Sequence, residues 1–219
     1  MVVLFDVNGT LTDPAGIGDS WDAPELGLRV LRGAVLSSMA ATITERFVPF
    51  AEHLRDALAL EVAAAGLDPQ RLDAALRRAA ALDAYADAAP AIDLLRDHGC
   101  TIAALTNSGA EAGANTLRAA GLRNRFDHVF GVDAVRRFKP HPATYGHVVR
   151  ELDVPPGDIT MVAAHAWDVT GARSAGLRAA WVSRGEGVLA ATAAPPHVQG
   201  PDLLAVARLL VGEVACGDG

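Results

Sequence analysis

Four short polar segments of this chain hold residues able to do chemistry: Asp6-Val-Asn-Gly-Thr10, Thr106-Asn-Ser108, Lys139-Pro140 and His165-Ala-Trp-Asp168. Gathered at one place, they would bring together two carboxylates, an ammonium, an imidazole and a set of hydroxyl and amide groups. That is equipment for nucleophilic and acid–base work by carboxylates. Taken singly, each segment has an ordinary explanation. An Asp before Gly is often a turn former, Thr-Asn-Ser before a helix is a common N-cap, and Lys before Pro is usually a solvated loop cation. Asp168 can equally cap the helix it begins. The order and spacing of all four is what points to a site. Two carboxylates near one lysine also carry a desolvation and repulsion cost that a passive binding module need not bear.

The elements that must position these groups are legible as local patterns. Val2-Val-Leu-Phe5 is a β-branched and aromatic run ending at Asp6 and the Gly9 turn signal, so it predicts a buried strand that delivers Asp6 to its C-terminal end. Ligand sites of open α/β sheets lie at such ends. Further strands are expected at Thr101–Leu105, His128–Val132, Ile159–Ala164 and Ala179–Val182, alternating with helices at Ala91–Asp97, Ala110–Ala120, Ala143–Leu152 and Asp168–Ala175. Gly99, Gly121 and Gly176 stand where glycine stops a helix. A last amphipathic helix covers Leu203–Val211, and residues 190–201, rich in Ala, Pro and Gly, read as a linker. Between Asp13 and Asp87 the character changes to helical spacing alone, through Leu26–Ala41, Phe47–Ala65 and Arg71–Leu82. The fold class expected is α/β: a doubly wound, mostly parallel sheet built from residues 1–13 and 88–219, with residues 14–87 inserted as a helical domain.

Composition narrows the partners. A chain of 219 residues with 51% hydrophobic residues can bury a substantial core. A formal net charge of -7 argues against general affinity for nucleic acid or anionic membranes, which draws on clustered Lys and Arg. Cys100 and Cys216 are too few for a disulfide framework and read as two inert thiols of a reducing compartment. The opening apolar run is too short for a signal-peptide core, and no uncharged stretch approaches membrane-spanning length. A cytoplasmic protein acting on a small molecule is the expectation.

With these segments in view, the chain resembles the haloacid dehalogenase superfamily, whose pattern is an apolar strand, Asp-x-x-x-Thr, then a strand-end Ser or Thr, Lys, and a strand-end Asp. Phe5-Asp-Val-Asn-Gly-Thr-Leu-Thr-Asp13, Leu105-Thr-Asn-Ser-Gly109, Phe138-Lys-Pro-His-Pro-Ala-Thr-Tyr145 and Val162-Ala-Ala-His-Ala-Trp-Asp-Val-Thr-Gly-Ala-Arg173 carry the likeness. The Trp-Asp pair before a small-residue helix resembles the L-2-haloacid dehalogenase branch, and the insertion sits where that branch carries its helical cap. The resemblance implies a homodimer and a small carboxylic acid substrate. It also implies that Asp6 attacks C2 of a 2-halo acid, that Lys139 holds Asp6 ionised, and that Asp168 positions or deprotonates the water that hydrolyses the resulting ester. Thr10 and Thr106 match positions that bind the nucleophile and the substrate carboxylate, Asn107 a halide-side position, and Tyr145 an active-site tyrosine. Trp167 is expected to pack rather than touch substrate, and the side chains of Asp6, Thr106, Lys139 and Asp168 are expected to face one cleft. For the cap arginine at the leaving group, Arg32 is the first choice and Arg29 the second.

The phosphatases of the superfamily hold magnesium with acidic residues and use a second Asp two positions after the nucleophile. Here that position is Asn8, which does not transfer a proton at neutral pH, and Ala163, Ala164 and His165 precede Asp168. A hard cation wants several oxygen ligands, so no metal or other cofactor is expected. Members of the branch often carry Tyr, Ser and Asn at the positions of Asn8, Ala163 and His165, and His165 is read either as a water-orienting imidazole or as a structural hydrogen-bonder. The rival readings are a hydrolase opening a strained ring of the azetidine-2-carboxylate type, with His165 supplying a proton, and, with less support, a small-molecule phosphatase.

Overall fold

Every strand expected from the apolar runs forms, and all join one sheet. In the computed structural model, which describes residues 1–217 and side chains through Glu213, the strands are β1 (Val2–Phe5), β2 (Thr101–Thr106), β3 (His128–Gly131), β4 (Ile159–Ala163), β5 (Arg178–Val182) and β6 (Val198–Gly200). Among the described residues they form a six-stranded sheet in the order β3-β2-β1-β4-β5-β6, with every neighbouring pair parallel. This is the doubly wound order in which the chain works outward from β1, then crosses back to its other side, leaving a crevice at the strand ends where the direction reverses. β1 lies at that reversal. Phe5 is level with Ala104 of β2 and Val162 of β4, so Asp6, Thr106 and Ala164 emerge at neighbouring positions on one edge.

Helices α1 (Pro24–Ile43), α2 (Phe50–Ala64), α3 (Leu72–Ala79), α4 (Ala88–Asp97), α5 (Ala110–Ala119), α6 (Pro142–Leu152), α7 (Ala166–Ser174) and α8 (Leu203–Gly217) complete the described chain. Alternation along the strands divides the core. Val3, Phe5, Ile102, Ala104 and Val162 face one way, against Ile92 and Leu95 of α4, Leu117 of α5 and Leu203 and Val206 of α8. Val2, Leu4, Ala103, Leu105 and Met161 face the other, against Tyr145 and Val148 of α6 and Val169 of α7. Gly99, Gly121 and Gly176 follow α4, α5 and α7 at positive φ, the stop geometry predicted for them. A third apolar cluster belongs to the helical segment: Leu26, Val30 and Ala34 of α1 pack with Phe50, Leu58 and Val62 of α2 and Ala75 of α3, and this cluster reaches Val132 and Phe138 beside β3. α1 is long and apolar enough to span a membrane by length and composition, but it exposes Glu25, Arg29 and Arg32 and buries Leu26, Val30 and Ala34 in the cluster with α2.

Three details differ from the sequence reading. β6 lies inside the stretch read as a linker: it is a three-residue edge strand beside β5, held by long-range pairing that no periodicity announces. A 3-10 helix covers Pro14–Trp21, opened by Asp13 accepting from the Ala15 N–H at 2.9 Å. α7 begins at Ala166, so Asp168 stands in its first turn rather than at its start. Cys100 is a buried free thiol, whereas the side chain of Cys216 lies outside the described residues.

Gly27 fastens α1 to the segment that follows the nucleophile loop. A Cβ there would lie 1.8 Å from the Pro14 carbonyl oxygen, a backbone atom with no room to retreat. Gly27→Ala is therefore expected to cost at least about 1–3 kcal/mol, the usual penalty for overpacking, read as a lowered midpoint in urea denaturation. An unchanged midpoint would show that α1 is free to shift.

Candidate active site

The four polar segments meet at the C-terminal ends of β1, β2 and β4, with Lys139 reaching in from the segment after β3. Lys139 is fully buried, and its ammonium donates to Asp6 Oδ1 at 2.7 Å, Asp168 Oδ2 at 2.6 Å and the Leu105 carbonyl at 3.1 Å. Three acceptors match the three protons of the ammonium. Its backbone N–H is fixed as well, donating to Asn107 Oδ1 at 2.9 Å. The other Asp6 oxygen, Oδ2, accepts from the Thr10 hydroxyl at 2.7 Å, and Thr10 Oγ1 in turn accepts from the Ala164 N–H at 2.9 Å, tying the nucleophile loop to the end of β4. Asp168 Oδ1 accepts from the Tyr145 hydroxyl at 2.6 Å.

These contacts set the protonation states. Burial alone would raise Asp6, but the Lys139 ammonium, the nearby His165 imidazole and the hydrogen bonds from Lys139 and Thr10 outweigh it and hold the carboxyl below the usual carboxylate range. Burial dominates at Asp168 and, with the negative charge of Asp6, lifts it above its ordinary value despite Lys139. For Lys139, burial opposes the charge, yet Asp168 and Asp6 raise it above a free lysine. Burial and the charge of Asp168 push the Tyr145 hydroxyl well above its ordinary value, which keeps it a donor. The two aspartates are thus driven in opposite directions.

A small void of about 20 Å³ stands over Asp6. Asn8, Thr106, Asn107, His165 and Trp167 line it beside Asp6, and Val35 of α1 and Phe50 of α2 close it from the helical segment. Asn8 accepts from the Thr12 hydroxyl at 3.1 Å, and Thr106 Oγ1 accepts from the Ser108 N–H at 3.1 Å. His165 Nε2 lies 3.1 Å from the Asn8 carbonyl, an acceptor only, which places a proton on Nε2, and 3.6 Å from Asp6 Oδ2. Its ring stacks on Trp167 at 5.3 Å.

Several expectations need correction. Lys139 and Asp168 do not face the cleft: both are fully buried and lie beneath Asp6, because the ammonium is neutralised only where it meets both carboxylates. Lys139 is accordingly no solvated loop cation, and the Asp168 carboxylate turns to Lys139 and Tyr145 instead of capping α7. Thr10 and Tyr145 are also fully buried under the void. Trp167, expected to pack, both packs and lines the void. Arg32 is exposed and lines a separate, larger cavity of about 210 Å³, and Arg29 is exposed and paired with Glu61 at 2.8 Å. The reason is helical spacing: Val35 faces Asp6, which leaves Arg32 about one turn away. Val35 and Phe50 were missed, since apolar residues at helical spacing look like ordinary core.

The donor set does not suit a divalent cation. Two carboxylates are present, each of their four oxygens already accepts a hydrogen bond, and Lys139 occupies the space between them. Among the described residues no group of three or more His, Cys, Asp and Glu side chains is placed to hold a metal ion.

A doubly wound parallel sheet with a lysine-clamped aspartate at the end of its first strand defines a class of hydrolases, and the comparisons agree. The family model of haloacid dehalogenase-like hydrolases matches residues 1–176. The (S)-2-haloacid dehalogenase of Pseudomonas sp. (strain YL) is 30% identical over 98% of this chain and 95% of its own length. That of Xanthobacter autotrophicus is 33% identical over 83% of this chain and 74% of its own. The solved structure of L-2-haloacid dehalogenase from Xanthobacter autotrophicus with chloropropionic acid covalently bound superposes with a TM-score of 0.86 at 27% identity, covering 97% of this chain and 99% of that one. The chain belongs to the haloacid dehalogenase-like hydrolases, in their L-2-haloacid dehalogenase branch.

Removing Lys139 would leave two buried carboxylates facing each other. Lys139→Met is expected to cost about 3–5 kcal/mol of stability at neutral pH, with the loss shrinking as the pH falls and the carboxyls take up protons. Denaturant titrations at several pH values check this, and a variant as stable as the parent would refute the ionic cluster as described.

Proposed function

We propose that this chain hydrolyses the carbon–halogen bond of 2-halo acids as an (S)-2-haloacid dehalogenase, with Asp6 as the nucleophile. The observation that carries the reading is the state of Asp6: ionised, oriented from below by Lys139 and Thr10, and open to solvent only toward the void. An Asp6 oxygen attacks C2 as the halide departs, inverting the carbon and forming an ester. Water then adds to the ester carbonyl carbon, releasing the 2-hydroxy acid and one proton and restoring the carboxylate. Halide leaves without protonation, which suits a site where Asn8 stands two positions after the nucleophile.

The opposite shifts of the two aspartates divide the labour, with Asp6 as the ionised nucleophile and Asp168, its proton affinity raised, as the buried group beneath it that we assign to draw off the proton of hydrolysis when the attacking water reaches the Asp6 carboxyl carbon. Thr106 and Asn107, on the wall of the void, are the residues we assign to the substrate, while Thr10 and Tyr145 act from beneath. Residues 14–87 are read as a cap domain over a core of 1–13 and 88–219, in a cytoplasmic protein. Leu36 and Ile43 of α1 and Leu60 of α2 are 70%, 82% and 72% exposed, and these apolar side chains on the helical segment support a homodimer assembled through the cap. Light scattering should report twice the chain mass, and a monomer at micromolar concentration would reject it.

The chemical reading has a direct isotopic test. A single turnover in ¹⁸O-water with enzyme in excess should place ¹⁸O in the Asp6 carboxylate and release an unlabelled first product, whereas water activated for direct attack would label the product at once. Asp6→Asn should abolish turnover, and Asp168→Asn should slow ester hydrolysis so that the alkylated Asp6 peptide accumulates. Turnover should persist in excess chelator. Magnesium-dependent hydrolysis of a phosphate ester in its place would overturn the assignment.

A further inference from the structure

We infer that the preferred acid carries a side chain of several carbons, with its reacting carbon over Asp6 and the rest of its length in the larger cavity beside it. This deepens the dehalogenase reading and rests on it. The void over Asp6, about 20 Å³, little exceeds the space of a single water, whereas the neighbouring cavity measures about 210 Å³. The two share the His165 side chain as a wall, and Gly9, which lines the larger, lies against that ring. They also share a roof: Leu28 and Arg32 of α1 line the larger cavity and Val35 the smaller, positions i, i+4 and i+7 that fall on one helix face. One stripe of α1 therefore runs over both spaces, which are two ends of one slot divided by the His165 ring.

That ring is held by its contact with the Asn8 carbonyl, its 3.6 Å approach to Asp6 and its stack on Trp167, with no other hydrogen bond to fix it. Gly9, at φ +85°, leaves the room it occupies, since a Cβ there would come within 2.8 Å of His165 Nε2. Beyond the ring, charged side chains such as Glu25, Arg32 and Arg184 share the lining, but most of the exposed wall is carbon, from Pro14, Ala15, Pro24 and Leu28 among others, the chemistry that takes up an alkyl chain.

The test compares kcat/KM for (S)-2-bromopropanoate and (S)-2-bromooctanoate, with 2-hydroxyoctanoate binding measured in parallel by calorimetry. Five more methylenes in an apolar compartment should favour the longer acid by at least about tenfold. Leu28→Trp fills the compartment and should collapse that ratio and weaken 2-hydroxyoctanoate binding, with Leu28→Phe, a milder insertion, falling between. A parent enzyme that prefers the short acid, or a ratio and affinity untouched by folded Leu28→Trp, would overturn the inference. Should neither bromo acid turn over, the dehalogenase reading fails by itself. The effect of Leu28→Trp on 2-hydroxyoctanoate binding then still decides for or against the compartment.

Discussion

The bond between a buried ammonium and two buried carboxylates is the constraint on which the rest of the site depends. Taking three charges out of water costs several kcal/mol per ion, and the attraction between them offsets this only where geometry is good and the remaining hydrogen-bonding capacity is met. Lys139 satisfies both conditions, with two carboxylate contacts below 3 Å and the Leu105 carbonyl as a third acceptor. The cluster keeps a net negative charge, and that charge is not shared evenly. Asp6 also takes the Thr10 hydroxyl and holds its ionisation, while Asp168 is sealed against Tyr145 and drawn toward protonation.

Such a cluster can only be assembled by elements that arrive together at one level. The parallel register does this: Asp6 follows β1, Leu105 is the second-last residue of β2, and Ala164 follows β4, so three strand ends supply the nucleophile, a carbonyl for Lys139 and an N–H for Thr10. The layering has a chemical consequence. Groups that set charge lie beneath the void, and groups that touch a ligand line it. A substitution beneath the void should therefore act on the ionisation of Asp6, and one on its wall on what Asp6 meets.

The helical segment completes the site with residues that carry no charge. Val35 and Phe50 close the void over Asp6 with carbon and narrow its access to solvent, which strengthens the electrostatic interactions around it. Because α1 is fastened by Gly27 to the backbone at Pro14, a few residues beyond Thr10, the roof and the nucleophile loop are mechanically joined. Arg184 extends the same linkage: its guanidinium donates to the Thr10 carbonyl at 3.1 Å and lies over the Tyr85 ring at 3.7 Å. The loop that holds the nucleophile thus touches both the segment entering the helices and the one leaving them.

By itself the sequence determined the strands that begin as β-branched and apolar runs, the glycine stops after α4, α5 and α7, and the four polar segments at strand ends, because these are local signals of dihedral preference and hydrophobic period. It also placed no carboxylate at positions 8, 163 and 164. Tertiary structure alone decided that Lys139 is buried rather than solvated, since its partners lie 133 and 29 residues away in the chain. It decided likewise that Asp168 turns under the nucleophile, that Arg32 faces a second cavity, and that residues 198–200 add an edge strand where composition suggested a linker. Each of these depends on which distant groups share a low-dielectric space, and charge burial, cavity shape and edge pairing are properties of that shared space rather than of any window of sequence.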